Sequence, residues 1–132
     1  KIPNIFSFVK IKNCAVGDRN TILNLNFSHG LANAFITKNK KDISVKCRKL
    51  IDIVNEEKLK YITNLKIDVE GYEDKVLITF LNNCKKKLVP KNIILEHSEK
   101  NVWKNNLIQF LFKFGYKEIY KNKSNIILNF RK

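Results

Sequence analysis

The sequence predicts an α/β fold, and three observations point to it. Short apolar runs rich in Ile, Val and Leu alternate along the chain with longer stretches of helical periodicity. One such run ends in a glycine turn that opens directly into the clearest helix, at Leu65 to Glu73. The chain closes on two short runs around a polar turn, a hairpin pattern. With 132 residues, 44% of them hydrophobic, there is material for one modest core and one domain. That apolar fraction excludes a wholly disordered chain.

Phe6 to Lys12 (FSFVKIK) reads as a strand, and Gly17-Asp18-Arg19-Asn20 as a turn. Thr21 to Phe27 (TILNLNF) alternates, with Thr21, Leu23, Leu25 and Phe27 on one face, so the two segments predict a hairpin. Ser28 to Asp42 reads as a loop holding one short strand at Ala34 to Thr37, and His29 lies within it with no partner in view. Ser44 to Arg48 is a further short strand. A helix from Leu50 to Lys60 places Leu50, Ile53, Val54 and Leu59 inward.

Tyr61 to Val69 predicts a buried central strand, because its end is nearly continuous apolar sequence. Glu73 to Leu88 predicts a helix with Val76, Leu77, Phe80, Leu81 and Cys84 on its inner face, stopped before Pro90. Asn92 to Glu96 is a second buried strand. Asn101 to Phe114 predicts a helix with Trp103 in its apolar face and Gly115 as its stop. Tyr116 to Tyr120 and Ile126 to Phe130 form the closing hairpin.

The net charge of +14 raises the question of nucleic acid. Of the 26 basic residues, 23 are Lys and only three are Arg (Arg19, Arg48, Arg131). Lys, Asn and Ile together make up 58 residues, and all three have A- and T-rich codons. A protein that reads bases or clamps phosphates is expected to use more Arg, whose planar fork binds in pairs of contacts. The excess therefore reads as compositional drift on a solvated surface. A basic nucleic-acid-binding module is carried as an alternative, beside a non-catalytic remnant.

No apolar stretch reaches the roughly 18 residues of a membrane span, and none follows a basic start as a secretory signal would. Cys14, Cys47 and Cys84 are odd in number and lack CxxC spacing, which predicts free thiols in a cytoplasmic setting.

Chemistry concentrates at the ends of the two buried strands. Ligands of open α/β sheets bind beyond the carboxyl ends of the strands. Asp68 and Glu70 close the first of these strands and share a face if it stays extended; Glu96 and His97 close the second. Asp68 as a turn anchor and His97 as a surface hydrogen-bonding residue stay open. The four groups are also a conceivable set for a divalent metal, although no metal is expected.

Lys66 to Leu77 (KIDVEGYEDKVL) resembles the signature of the FkbM family of methyltransferases, in which a KIDVEG strand end opens a helix carrying E-x-x-V-L. Asn13 to Asp18 (NCAVGD) resembles the family's N-A-A-V-G-D strand end, and Lys49 to Val54 its T-L-D-D-L-V helix start, with Ile51 in place of the first aspartate. Ile93 to His97 and Phe114-Gly115-Tyr116 resemble its later strand and its Gly-Tyr before the terminal hairpin. Ile78-Thr79 stand where the family has a Lys-Gly or similar pair.

The resemblance implies a partial Rossmann-like (class I methyltransferase) sheet with flanking helices and a C-terminal β-hairpin. It implies S-adenosyl-L-methionine as cofactor and methyl transfer to a small-molecule or glycan hydroxyl, while the hydropathy and composition above argue against a membrane or nucleic-acid partner. Asp68, Glu70 and His97 are the implied catalytic residues, and Asn13, Cys14, Ala15 and Asp68 the implied cofactor contacts. The glycine-rich turn of such enzymes does not occur before Phe6, so residues 1–132 are expected to be one N-terminally truncated methyltransferase domain, inactive alone. Two strands would be missing between the first strand and Tyr61 to Val69, leaving a gap of roughly 14 Å. That gap is expected either to close by a new pairing or to leave two open edges.

Overall fold

The computed structural model describes residues 8–26, 35–37 and 43–131. It is a mixed α/β structure with eight strands and three α-helices among those residues. The strands form two four-stranded sheets rather than one. The first has the order β1 (Ala15–Gly17), β4 (Ile43–Lys49), β2 (Thr21–Asn26), β3 (Phe35–Thr37). The second has the order β5 (Asn64–Ile67), β6 (Asn92–Glu96), β8 (Asn125–Phe130), β7 (Tyr116–Lys121). β1 runs parallel to β4 and β5 parallel to β6, while the remaining pairings are antiparallel. Among the described residues β1, β3, β5 and β7 each have one ladder partner and are the edge strands of the two sheets.

The core belongs to the second sheet. Helix α2 (Glu73–Asn83) buries Val76, Leu77, Phe80 and Leu81, the inner face its spacing predicts. It packs on α1 (Leu50–Glu56) and α3 (Leu107–Phe114) and lies over Ile67, Ile93, Leu95, Ile126 and Leu128. Register explains why those residues share a face: Ile93 stands opposite Leu128, and Leu95 opposite Ile126. At the opposite rim from the strands' carboxyl ends, Asn64, Asn92 and Asn129 form a side-chain ladder across β5, β6 and β8, with bonds of 2.8 and 2.7 Å.

Tyr116 anchors the closing hairpin. Its ring is buried against Phe114 and Phe130, and its hydroxyl donates to the Pro90 carbonyl at 2.7 Å. Tyr116→Phe leaves that carbonyl buried without its donor, so about 1.5 kcal/mol of stability is expected to be lost. Urea denaturation checks this, and an unchanged midpoint would contradict it. Gly115 ends α3 in the left-handed conformation (φ 119°), as its position predicts.

Several expected boundaries move, each for a local reason. Residues 8–12 are not a strand, while Phe6 and Ser7 lie outside the described residues. Lys12 instead pairs with Glu56 (2.6 Å) and Glu57, and Lys10 with Glu57, at the end of α1. The expected hairpin with Phe6 to Lys12 is therefore replaced, and β2 pairs with β3 and β4. Phe27, His29 and most of the predicted loop lie outside the described residues. Helix α1 stops at Glu56 because Lys58 turns left-handed (φ 52°), which leaves Leu59 exposed rather than inward.

The expected helix Glu73 to Leu88 ends at Asn83, where Cys84 becomes extended, and a 3₁₀ turn follows at Lys86–Leu88. The expected helix from Asn101 is split into a 3₁₀ turn at Lys100–Val102 and α3, which starts only after Asn106 caps it by accepting from the Gln109 amide. Trp103 falls in the extended link between them, not on a helix face.

The ion pairs at the end of α1 carry a pH signature. Lys12 and Arg48 beside Glu56 hold its carboxyl down at about 2. A depressed carboxylate stabilises the native state above its ordinary value, and the contribution is lost as pH falls through the depressed one. A carbon-13 titration of the Glu56 carboxyl is expected to show a midpoint near 2. A midpoint at the ordinary 4.5 would show that the 10–12 segment is not docked on α1.

Candidate functional site

The carboxyl ends of β1 and β5 meet. Gly17, at the end of β1, has no room for a side chain: a Cβ there would lie 2.5 Å from Cys47 Sγ and 3.8 Å from the Tyr72 ring. Tyr72 follows the bend after β5, and its ring carries the Lys75 ammonium 3.6 Å from its centroid. Between the two strand ends lies a cavity of about 250 Å³. Cys14, Ala15 and Val16 form one wall, Val69, Glu70 and Tyr72 another, and Leu23, Leu25 and Ile36 close it from the first sheet. A polar chamber of about 200 Å³ adjoins it, sharing Leu23 and Tyr72 and adding Asp18, Arg19, Thr21 and Cys47.

The bend that carries Glu70 is unusual backbone. Glu70 is left-handed (φ 51°), a conformation that costs a non-glycine residue about 1–2 kcal/mol. Gly71 follows at φ 88°, and a Cβ there would sit 2.4 Å from Val102 Cγ2. The fully buried Glu73 holds the bend, accepting from the Val69 amide at 2.8 Å and the Gly71 amide at 3.3 Å on one oxygen. Its other oxygen accepts from the Trp103 indole at 2.8 Å. Asp74, also fully buried, accepts from the Lys104 and Asn105 amides and the Asn105 side chain at 3.0 to 3.1 Å. These two carboxylates are the residues the sequence reading missed. They stand as ordinary acidic residues of a first helical turn, and their distant partners, the Trp103 indole for Glu73 and the Lys104 and Asn105 amides for Asp74, lie 30 or 31 positions away.

Asp68 and Glu70 do not share a face, because the strand ends at Ile67 and the backbone reverses at Glu70. Asp68 accepts from Lys66 at 2.7 Å and lines a smaller cleft of about 140 Å³ with Val16, Leu65 and Val76. Glu70 faces the larger cavity. Partial desolvation pushes its carboxyl above the ordinary range, and the charges of Asp68, Glu96, Glu73 and Glu99 push it further.

Cys14 and Ala15 line the same cavity as Glu70, whereas Asn13 is exposed and outside it. His97 lines neither space. It is 6% exposed, its amide donates to the Ser124 carbonyl, and its Nε2 has no hydrogen-bond partner among the described residues. Glu96 accepts from the Ser98 amide at 3.0 Å. No group of three or more His, Cys, Asp or Glu side chains among the described residues is arranged to hold a metal ion.

The family model described as the methyltransferase FkbM domain matches residues 7–118, which include both cavity walls and the bend. The chain belongs to the FkbM methyltransferase domain family. No curated protein and no solved structure matches it. In this FkbM domain the matched region takes in β1 to α3 and the first half of β7, so the KIDVEG bend and the strand end at Cys14 and Ala15 lie within it. No helix among the described residues is long and apolar enough to cross a membrane.

Proposed function

We propose that this FkbM domain transfers a methyl group from S-adenosyl-L-methionine to a hydroxyl of a sugar or other small metabolite. One observation carries the reading: the two segments singled out in the sequence, Cys14-Ala15 and Val69-Glu70, wall a single cavity. Its chemistry fits the cofactor. The walls are apolar where a flat ring would lie, and a carboxylate stands at the bend of a chain whose net charge is +14, suited to a cationic group.

When bound, the cofactor supplies a methyl group on a positively charged sulfur, open to in-line displacement. The chain's own residues divide the remaining work. Cys14 and Ala15 hold the cofactor's ring side. Asp68, in the smaller cleft that shares Val16 and Val69 with the cavity, faces the cationic end, and Glu70 takes the proton from the acceptor hydroxyl. Its raised carboxyl suits that role, because a base works best with a proton affinity near the operating pH. Arg19 and Thr21 in the polar chamber supply donors for the acceptor's other oxygens. The three free cysteines suit a cytoplasmic setting, and residues 1–132 act as one domain.

The test is calorimetric titration of the full-length protein with S-adenosyl-L-methionine. Asp68→Asn is expected to weaken binding about tenfold or more, consistent with a lost charged contact. Unchanged affinity would remove Asp68 from the site.

A further inference from the structure

Residues 98–106 join β6 to α3 and cross the bend after β5. Among the described residues Val102 rests on Gly71 and Trp103 packs on the core, while the segment's long-range hydrogen bonds go to one place: the Trp103 indole N–H donates to Glu73, and Lys104 and Asn105 donate to Asp74. The segment's remaining backbone bonds, such as Lys100 to His97 and Val102 to Glu99, are short-range turns. It therefore has no ladder of its own to hold it.

We propose that Glu73 is a positioning residue that couples this strap to the bend, so that the conformation of Glu70 and the seating of Trp103 change together. One carboxylate serves both, with Oε1 on the Val69 and Gly71 amides and Oε2 on the Trp103 indole. A non-glycine residue at φ 51° stays left-handed only while its surroundings hold it there, and the two amide bonds flank that residue. A ligand that shifts Glu70 moves the Val69 and Gly71 amides, and so loads the carboxylate that seats the indole. The link to ligand occupancy rests on reading the cavity beside Glu70 as the cofactor site; the coupling itself does not.

The first test is amide hydrogen exchange of the full-length protein without ligand, comparing wild type with Trp103→Phe. That change removes the indole N–H and part of the ring that packs on the core, and both losses lie on the strap. Exchange at Val69 and Gly71 is expected to speed up roughly fivefold, as for one lost hydrogen bond, while Ile93 and Leu95 in the core are unchanged. Equal rates at Val69 and Gly71 in both proteins would overturn the coupling.

Glu73→Gln keeps the shape but turns an amide N–H toward the indole donor. It is expected to speed exchange at Val69 and Gly71 and to shift the emission of Trp103, the chain's single tryptophan. If Glu73→Gln does not fold, Trp103→Phe alone decides. Titration with S-adenosyl-L-methionine is run in parallel. A wild type that binds none but shows the coupled exchange keeps the coupling and loses the cofactor reading. A wild type that binds it but shows uncoupled exchange does the reverse.

Discussion

Phe80→Ala is expected to cost 3–5 kcal/mol, the range for a large aromatic removed from a closed core. Phe80 is 1% exposed in the middle of α2, between the flanking helices and the buried face of the second sheet. The neighbours that would have to collapse into the space are themselves held. Leu77 and Leu81 are fixed on the same helix, and Ile93, Leu95 and Ile126 are pinned by strand register. A domain of this size has about 5–15 kcal/mol in total, so the loss removes a large share of it. At a typical urea dependence the midpoint falls by about 2 M. A loss below about 1 kcal/mol would mean that α2 is not the centre of the core. The same substitution leaves every group at the bend untouched, so residual folded protein should still bind ligand.

Glu70→Gln is expected to lower turnover by about 10²- to 10⁴-fold, the usual worth of a positioned general base. The side chain keeps its size, so binding of the cofactor should change far less than rate. The accompanying change in stability goes the other way. Ionising Glu70 works against desolvation and against Asp68, Glu96, Glu73 and Glu99, which is why its carboxyl is raised. A raised carboxyl destabilises the native state above its own titration, and the effect vanishes at pH below the ordinary carboxylate value. The amide therefore stabilises the protein at neutral pH by a few tenths of a kcal/mol after solvent screening, and by nothing in acid. Slower turnover with a slightly higher melting temperature is the signature of a charge kept for function. Unchanged turnover would transfer the role to another group.

The sequence makes the second half of the molecule legible because its signals there are local. The inner face of α2, the pairing-length runs of β5, β6 and β8, and the Gly115 stop each follow from neighbours within a few residues. The buried strand before Asp68 was visible for the same reason, whereas Cys14 and Ala15 were singled out only by the family resemblance. What could not be read is decided by distant partners. Residues 8–12 have the pattern of a strand, yet Lys10 and Lys12 are captured by acids more than 40 positions away. Asn101 to Phe114 has the pattern of one helix, yet Asp74 takes the amides of Lys104 and Asn105 and delays its start. Asp68 and Glu70 were expected on one face because nothing before Gly71 announces a left-handed glutamate. That conformation depends on Glu73 bonding to both sides of it.

The most direct measurement of the central claim is photochemical attachment of labelled S-adenosyl-L-methionine to the full-length protein, followed by mapping of the labelled peptide. The cavity between the strand ends predicts label within residues 13–18 or 66–72, reduced by competing unlabelled cofactor and weakened in Asp68→Asn. Label confined to residues 107–131, or none that unlabelled cofactor competes away, would contradict a methyl-transfer site at the ends of β1 and β5.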